Sequence, residues 1–148
     1  MIKAILLAAG QSKRLKSENK LKKIYKKEPL INNSLKQLKQ SKGNKIIIVI
    51  GNQHKEIKKI IKKNRKNNMI INKKYKKGMA SSIKTGLNKV SKNDKGFIVV
   101  QSDMPFIKKA DINKIYNSIK LKNFLVYVLK FKNKIGNPIG FDISLTNK

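Results

Sequence analysis

The opening of the chain constrains it most. Ile2-Lys3-Ala4-Ile5-Leu6-Leu7 is an apolar run of strand length that breaks into Ala8-Ala9-Gly10 and then into a polar segment carrying Ser12, Arg14 and Lys20. Such a run predicts a buried strand, and small residues at its end leave peptide N–H groups uncovered, so that a ligand can approach the backbone. Gly10 allows positive φ, while Arg14 can meet a phosphate as a bidentate fork and Lys20 as a point charge. Neither common glycine-rich fingerprint is present: the dinucleotide pattern needs three glycines and the Walker pattern needs Gly-Lys-Ser/Thr. Spacing alone leaves an anion-binding turn and an ordinary strand-to-loop turn equally open.

Beyond this turn, strand and helix patterns alternate. Lys20 to Glu28 is expected as a lysine-rich loop. Pro29-Leu30-Ile31 opens a helix with Leu30, Ile31, Leu35 and Leu38 on one face, closed by Lys42-Gly43. Ile46 to Ile50 predicts a strand buried on both faces and hence a parallel sheet, with Gly51-Asn52 ending it. His54 and Glu56 start a second helix, His54 as a solvated or capping residue and Glu56 favourably placed for the helix dipole. Met69-Ile70-Ile71 is a short strand followed by a basic loop, Asn72 to Lys77. In Gly78-Met79-Ala80-Ser81-Ser82 a glycine precedes a helix whose first turn holds two serines, which can cap the helix or accept an anionic ligand. Phe97 to Val100 is the next strand, Lys108 to Lys120 a helix with Ile112, Ile115, Tyr116 and Ile119 inward, and Phe124 to Phe131 a buried strand. Alternation of this kind predicts an α/β three-layer domain with a mainly parallel sheet.

Asp103, directly after the strand at Phe97, stands out in a chain of 148 residues with 7 acidic side chains against 37 basic ones. In an open α/β sheet ligands bind beyond the carboxyl ends of the strands. A carboxylate there suits Mg²⁺ held against a triphosphate; the alternative is an Asp that only shapes the turn before Pro105. The absence of cysteine and the single His54 exclude thiolate and histidine-based zinc sites, so any metal must be held mainly by oxygen. The length predicts one domain, residues 1–148, and the lack of a long apolar segment predicts a cytoplasmic protein without a membrane partner. A net charge of +30 and a pI near 10.5 point toward nucleic acid or an anionic surface. Lysine is nevertheless spread along the whole chain, Arg14 and Arg65 are its only arginines, and Lys, Asn and Ile dominate as an AT-rich coding sequence would produce. Nonspecific, salt-sensitive binding to polyanions is expected in preference to a specific nucleic-acid site.

Leu7-Ala8-Ala9-Gly10-Gln11-Ser12-Lys13-Arg14-Leu15, followed by Asn19-Lys20, resembles the opening signature of the MobA-like nucleotidyltransferases. Ala9, where the guanylyl branch usually has Gly, resembles the molybdenum cofactor cytidylyltransferase branch. Gly78-Met79-Ala80-Ser81-Ser82 is similar to that branch's Gly-Met-Ser-Ser-Ser segment, and Ser102-Asp103-Met104-Pro105 to the family's Gly-Asp-Gln-Pro motif. Gly136-Asn137-Pro138-Ile139-Gly140-Phe141 is similar to its Gly-His-Pro-Val-Leu-Phe segment, with Asn137 in place of His; Lys16 stands where a glycine is usual. The resemblance covers Ile2 to Asp142.

It implies a Rossmann-like, GT-A-like nucleotidyltransferase fold and an Mg²⁺-dependent enzyme. That enzyme would move an NMP group, CMP in preference to GMP, from an NTP to a phosphorylated acceptor such as the molybdopterin cofactor or a sugar phosphate, releasing pyrophosphate. The candidate catalytic residues it implies are Arg14 and Lys20, on the phosphates, and Asp103, on Mg²⁺. Leu7, Ala8, Ala9 and Gly10 would hold base and sugar through their backbone, and Ser12, Asn52, Asn72, Ser81 and Ser82 would line the nucleotide site. Family members also continue past the segment at Gly140 with a further helix and an acidic strand end. The alternatives are therefore a nucleotide-binding relic without turnover and, further off, a basic nucleic-acid-binding protein.

Overall fold

The computed structural model describes residues 1–12, 18–43, 45–61 and 67–147. In chain order its elements are β1 (Ile2–Ala8), the short strands β2 (Ile24–Tyr25) and β3 (Glu28–Pro29), α1 (Leu30–Gln40), β4 (Lys45–Ile50), α2 (His54–Ile60), β5 (Asn67–Ile71), α3 (Met79–Leu87), β6 (Gly96–Gln101), α4 (Lys109–Leu121), β7 (Val126–Phe131) and β8 (Lys134–Asp142). Six strands form one sheet in the order β5-β4-β1-β6-β8-β7. The pairs β4–β5, β1–β4 and β1–β6 are parallel, while β8 runs antiparallel to both β6 and β7. The fold is α/β with a mainly parallel sheet, as the alternating pattern predicts.

Successive side chains of a strand point to opposite faces, and β1 divides its residues accordingly. Ile2, Ala4, Leu6 and Ala8 join the larger core with Ile31, Leu35 and Leu38 of α1, Ile57 of α2, and Ile112, Ile115 and Ile119 of α4. Ile5 joins the opposite core with Ile47, Val49, Phe97 and Val99, against which Ile83 and Leu87 of α3 pack. Three helices therefore cover one face and α3 the other. Gly86 lets α3 come close: a Cβ there would stand 2.6 Å from Ile5 Cγ2. Among the described residues no helix is long and apolar enough to cross a membrane.

The structure departs from the sequence expectations in four places. The expected loop from Lys20 to Glu28 contains a 3-10 turn at Lys20–Lys22 and a two-stranded hairpin turning at Lys26 and Lys27, both at positive φ. Helix α1 stops at Gln40, where the Ser41 hydroxyl donates to Leu38 O at 2.7 Å and ends the ladder before Gly43. The segment from Phe124 is not a buried strand: β7 lies at the sheet edge, with Val126 and Val128 47% and 41% exposed. Its inward partner Tyr127 meets the larger core, but α3 packs against β1, β4 and β5 and does not cover the other face of β7. Finally, β8 carries Gly136, Pro138 and Gly140, which hide a nine-residue strand behind turn-forming residues.

Candidate functional site

A cavity of about 310 Å³ opens at the carboxyl ends of β1 and β6. Its walls are Leu7, Ala9, Gly10, Gln11 and Ser12 at and after the end of β1, Lys20 and Leu21 of the 3-10 turn, Tyr75, Lys76, Gly78 and Met79 before and at the start of α3, Ser82, and Gln101-Ser102-Asp103 at the end of β6. Parallel strands on either side of a central one leave their ends uncovered at this edge, which is where an open α/β sheet binds its ligand.

Small residues give the cavity its depth. A Cβ on Gly10 would meet no atom within 4 Å, so the space beside its backbone is free for a ligand. Gly10 does not use the positive φ open to it; the left-handed residue of this turn is Ser12, at φ 50°. Gly51 at the end of β4 is needed for close approach: its Cβ would lie 2.7 Å from Tyr75 Cβ and 2.8 Å from Ala9 Cβ. The ring of Tyr75 can therefore stand against Ala9 as a cavity wall.

Hydrogen bonds fix the two segments that carry charge. The Ser102 hydroxyl donates to Leu7 O at 2.6 Å and joins the exit of β6 to the exit of β1. Ser34, fully buried in α1, has its hydroxyl 3.1 Å from Ser102 O and 3.3 Å from Met104 O, so it brackets Asp103 from below. On the opposite wall the Lys20 amide donates to Ser12 Oγ at 3.1 Å, and buried Asn19 accepts from Leu21 N at 3.1 Å. Across the cavity the Lys20 ammonium forms an ion pair with Asp103 Oδ2. Gly78, φ 93°, precedes helix α3, and no side chain caps the helix's first amides; these amides and the positive end of the helix dipole favour an anion.

The structure brings together Leu7, Ala9, Gly10, Ser12, Lys20, Ser82 and Asp103 of the residues singled out from the sequence. Four others do not line the cavity. Ala8 points into the larger core because it is one residue out of phase with Leu7 and Ala9. Asn52 donates its backbone N–H to Ala9 O at 3.4 Å and supports the turn from behind. Asn72 is buried; its amide donates to Ser81 Oγ at 2.9 Å and Ser82 Oγ at 3.0 Å while its oxygen accepts from Lys74 N, so its side chain clamps the start of α3. Ser81 is turned toward Gly78 O and Lys74 O. Arg14, with Lys13 and Lys16, lies outside the described residues. Sequence reasoning missed Tyr75, Gln101 and Ser34. Gln101 had a signal, being the one polar residue at the end of an apolar strand; Tyr75 and Ser34 act through tertiary packing that spacing does not reveal.

Among the described residues Asp103 is the only acidic one in the cavity wall, and no three His, Cys, Asp or Glu side chains gather to hold a metal. One carboxylate with open space beside it fits a hard cation that completes its shell with phosphate and water; it does not fit a cation held by protein ligands alone.

Residues 4–148 match the family model described as MobA-like NTP transferase domain. The chain is 26% identical over 141 residues to the bifunctional protein GlmU of Caldicellulosiruptor saccharolyticus, spanning 93% of this chain and 29% of that protein. It is 30% identical over 147 residues to the probable UDP-N-acetylglucosamine pyrophosphorylase of Acanthamoeba polyphaga mimivirus, spanning 91% and 53% respectively. The chain thus spans about half or less of the length of these curated relatives. Among solved structures it superposes on Rv0371c from Mycobacterium tuberculosis with TM-score 0.86 at 18% identity, over 99% of this chain and 73% of that one; a second structure of that protein is a complex with manganese. A nucleotidyl transferase from Methanothermobacter thermautotroptrophicus gives TM-score 0.82 at 18% identity over 99% and 74%. At these identities the structural likeness is one of fold.

Proposed function

Because this chain belongs to the MobA-like NTP transferase family, we propose that it acts, as one domain over residues 1–148, as a cytoplasmic nucleotidyltransferase. It takes an NMP group from a nucleoside triphosphate, CTP in first place and GTP in second, and passes it to a phosphorylated acceptor. The observation that carries this reading is the convergence, in one cavity at the ends of β1 and β6, of an open Ala9-Gly10 backbone, the Lys20 ammonium, the Asp103 carboxylate and the uncapped start of α3.

In the reaction a phosphate oxygen of the acceptor attacks the α-phosphorus. A new O–P bond forms as the bond from the α-phosphorus to the oxygen bridging the β-phosphate breaks, and that electron pair leaves with pyrophosphate. No protein nucleophile is needed, so the task is positioning and charge neutralisation. The backbone from Leu7 to Gly10 holds base and sugar, Ser12 and Ser82 border the same space, and Lys20 pairs with the phosphates and the departing pyrophosphate. Arg14, by its place in the signature, shares that role. Mg²⁺, held by Asp103, would polarise the phosphoryl oxygens and offset their charge.

The acceptor has two readings. The motif string at Leu7 to Leu15 favours the molybdopterin cofactor; the name of the mimivirus relative, a probable UDP-N-acetylglucosamine pyrophosphorylase, favours a sugar phosphate. The test is titration with CTP, GTP, UTP and ATP, with and without Mg²⁺, in salt high enough to suppress nonspecific phosphate binding, followed by pyrophosphate release with each acceptor class. A base-selective signal strengthened by Mg²⁺, with that strengthening absent in Asp103→Asn, supports the enzyme. Equal weak binding of all four nucleotides, indifferent to Mg²⁺ and to the variant, replaces it with the relic reading.

A further inference from the structure

From the ion pair that spans the cavity, we infer that Lys20 occupies the carboxylate a divalent cation needs, so that this chain takes up its cation only together with a nucleotide. The inference rests on the proposed roles of Lys20 and Asp103 and adds an order and a coupling to them.

Three observations carry it. The Lys20 ammonium sits on Asp103 Oδ2, and Asp103 is the only carboxylate of the cavity wall among the described residues, so the negative charge there is matched by the chain's own lysine. Both backbones are fixed: Lys20 N–H is bonded to Ser12 Oγ, and the carbonyls of Ser102 and Met104 on either side of Asp103 lie against the Ser34 hydroxyl. Both side chains reach solvent, with Lys20 43% and Asp103 28% exposed. Rotation of the two side chains separates the pair while these backbone hydrogen bonds stay in place.

A free dication approaching Asp103 must displace an ammonium that it also repels, and one carboxylate has nothing further to offer it. A triphosphate changes both sides of this exchange. Its oxygens accept the Lys20 ammonium, and the vacated carboxylate together with phosphate oxygens supplies the oxygen ligands a hard cation takes. Without a cation the exchange is opposed, because the uncompensated Asp103 carboxylate then faces the triphosphate at short range. Nucleotide and cation thus raise each other's affinity, and the coupling is the same in both directions.

Two variants give opposite signs that a merely structural role would not produce. In metal-free buffer containing EDTA, Asp103→Asn is expected to bind the preferred nucleotide more tightly than the wild type, by about fivefold or more, and to gain nothing from Mg²⁺. In the absence of nucleotide, Lys20→Met is expected to bind Mn²⁺ more tightly than the wild type by a similar factor, read by the loss of the free Mn²⁺ electron paramagnetic resonance signal. Equal Mn²⁺ affinity of the wild type and Lys20→Met overturns the inference, as does metal-free nucleotide binding that Asp103→Asn leaves unchanged or weakens. If no nucleotide binds the wild type saturably even with Mg²⁺, the proposed function fails instead, and the Mn²⁺ comparison still decides whether the lysine shields the carboxylate.

Discussion

Gly86→Ala tests the packing that places one wall of the cavity. Gly86 is buried on the inward face of α3, and its added methyl carbon would stand 2.6 Å from Ile5 Cγ2 and 3.2 Å from both Ile5 Cδ1 and Val49 Cγ2. Carbon atoms in contact prefer roughly 3.5–4.0 Å, so the nearest contact is about 1 Å too short. Ile5 and Val49 are fully buried in adjacent parallel strands and have stiff β-branched side chains, so neither can retreat. Helix α3 must move instead. Overpacking of this kind costs about 1–3 kcal/mol, and alanine in a helix interior returns about 0.5–1 kcal/mol over glycine. The expected net loss is about 1 kcal/mol, a fall in melting temperature of about 2–4 °C at this chain length. Urea unfolding checks it: the midpoint should fall with an unchanged slope. Gly136→Ala, where a Cβ would meet no atom within 4 Å, serves as control and should stay within about 0.5 kcal/mol of the wild type. Because Met79 and Ser82 of the displaced helix line the cavity, nucleotide binding should weaken with stability in Gly86→Ala. A Gly86→Ala protein as stable as the wild type refutes the close approach of α3 to β1.

Three further outcomes follow from other parts of the structure. Burial is the largest single influence on the Asp94 carboxyl and raises its pKa, but the hydrogen bond from Lys3, the Ser91 N–H and the charges of Lys3 and the N-terminus together bring it below the ordinary carboxylate value. A lowered folded-state pKa means stability that is present above the unfolded value near 3.9 and lost as pH falls through the folded one; Asp94→Asn should lose about 1–3 kcal/mol at neutral pH, with the gap to the wild type closing in urea titrations below about pH 4. Ser34→Ala removes the hydroxyl beneath the Asp103 loop, and is expected to cost about 1 kcal/mol of stability and to weaken Mg²⁺-dependent nucleotide binding more than metal-free binding, as calorimetry would show. Binding to DNA or RNA should fall uniformly with salt for unrelated sequences in fluorescence anisotropy; a sequence preference that survives at high salt contradicts this.

The elements that were legible in the sequence are those whose own residues decide them. The continuous apolar runs of β1, β4 and β6 could only be strands buried on both faces, and Ile112, Ile115, Tyr116 and Ile119 could only be one face of α4. The elements that were not legible depend on neighbours. Strand β8 reads as turns because its glycines serve close packing: a Cβ on Gly140 would stand 2.5 Å from Ile115 Cγ2, a requirement visible only once α4 lies across it. Strand β7 is apolar yet exposed because α3 lies against β1, β4 and β5, away from this edge of the sheet. At the site, the residues at strand ends were legible, since topology puts them there. The division of labour among Asn72, Ser81 and Ser82 was not, because a hydrogen-bonded clamp and a ligand-binding set draw on the same residue types at the same spacing.

The charge balance gives Asp103 a further role. With 37 basic residues and a net charge of +30, the whole surface attracts phosphate, so affinity for a nucleotide is by itself no sign of a working site. Selectivity must come from something that opposes indiscriminate anion binding inside the cavity. In the coupling we propose, the carboxylate paired with Lys20 does this: it withholds the nearest cation from a bare anion and releases it only when a second positive charge takes its place. Surface lysines bind any polyanion and are screened by salt; a cavity that requires anion and dication together is screened far less, since both charges are matched within it. Metal dependence that persists at high salt is therefore the signature of the site, whereas tight binding that vanishes with salt is the signature of the lysines.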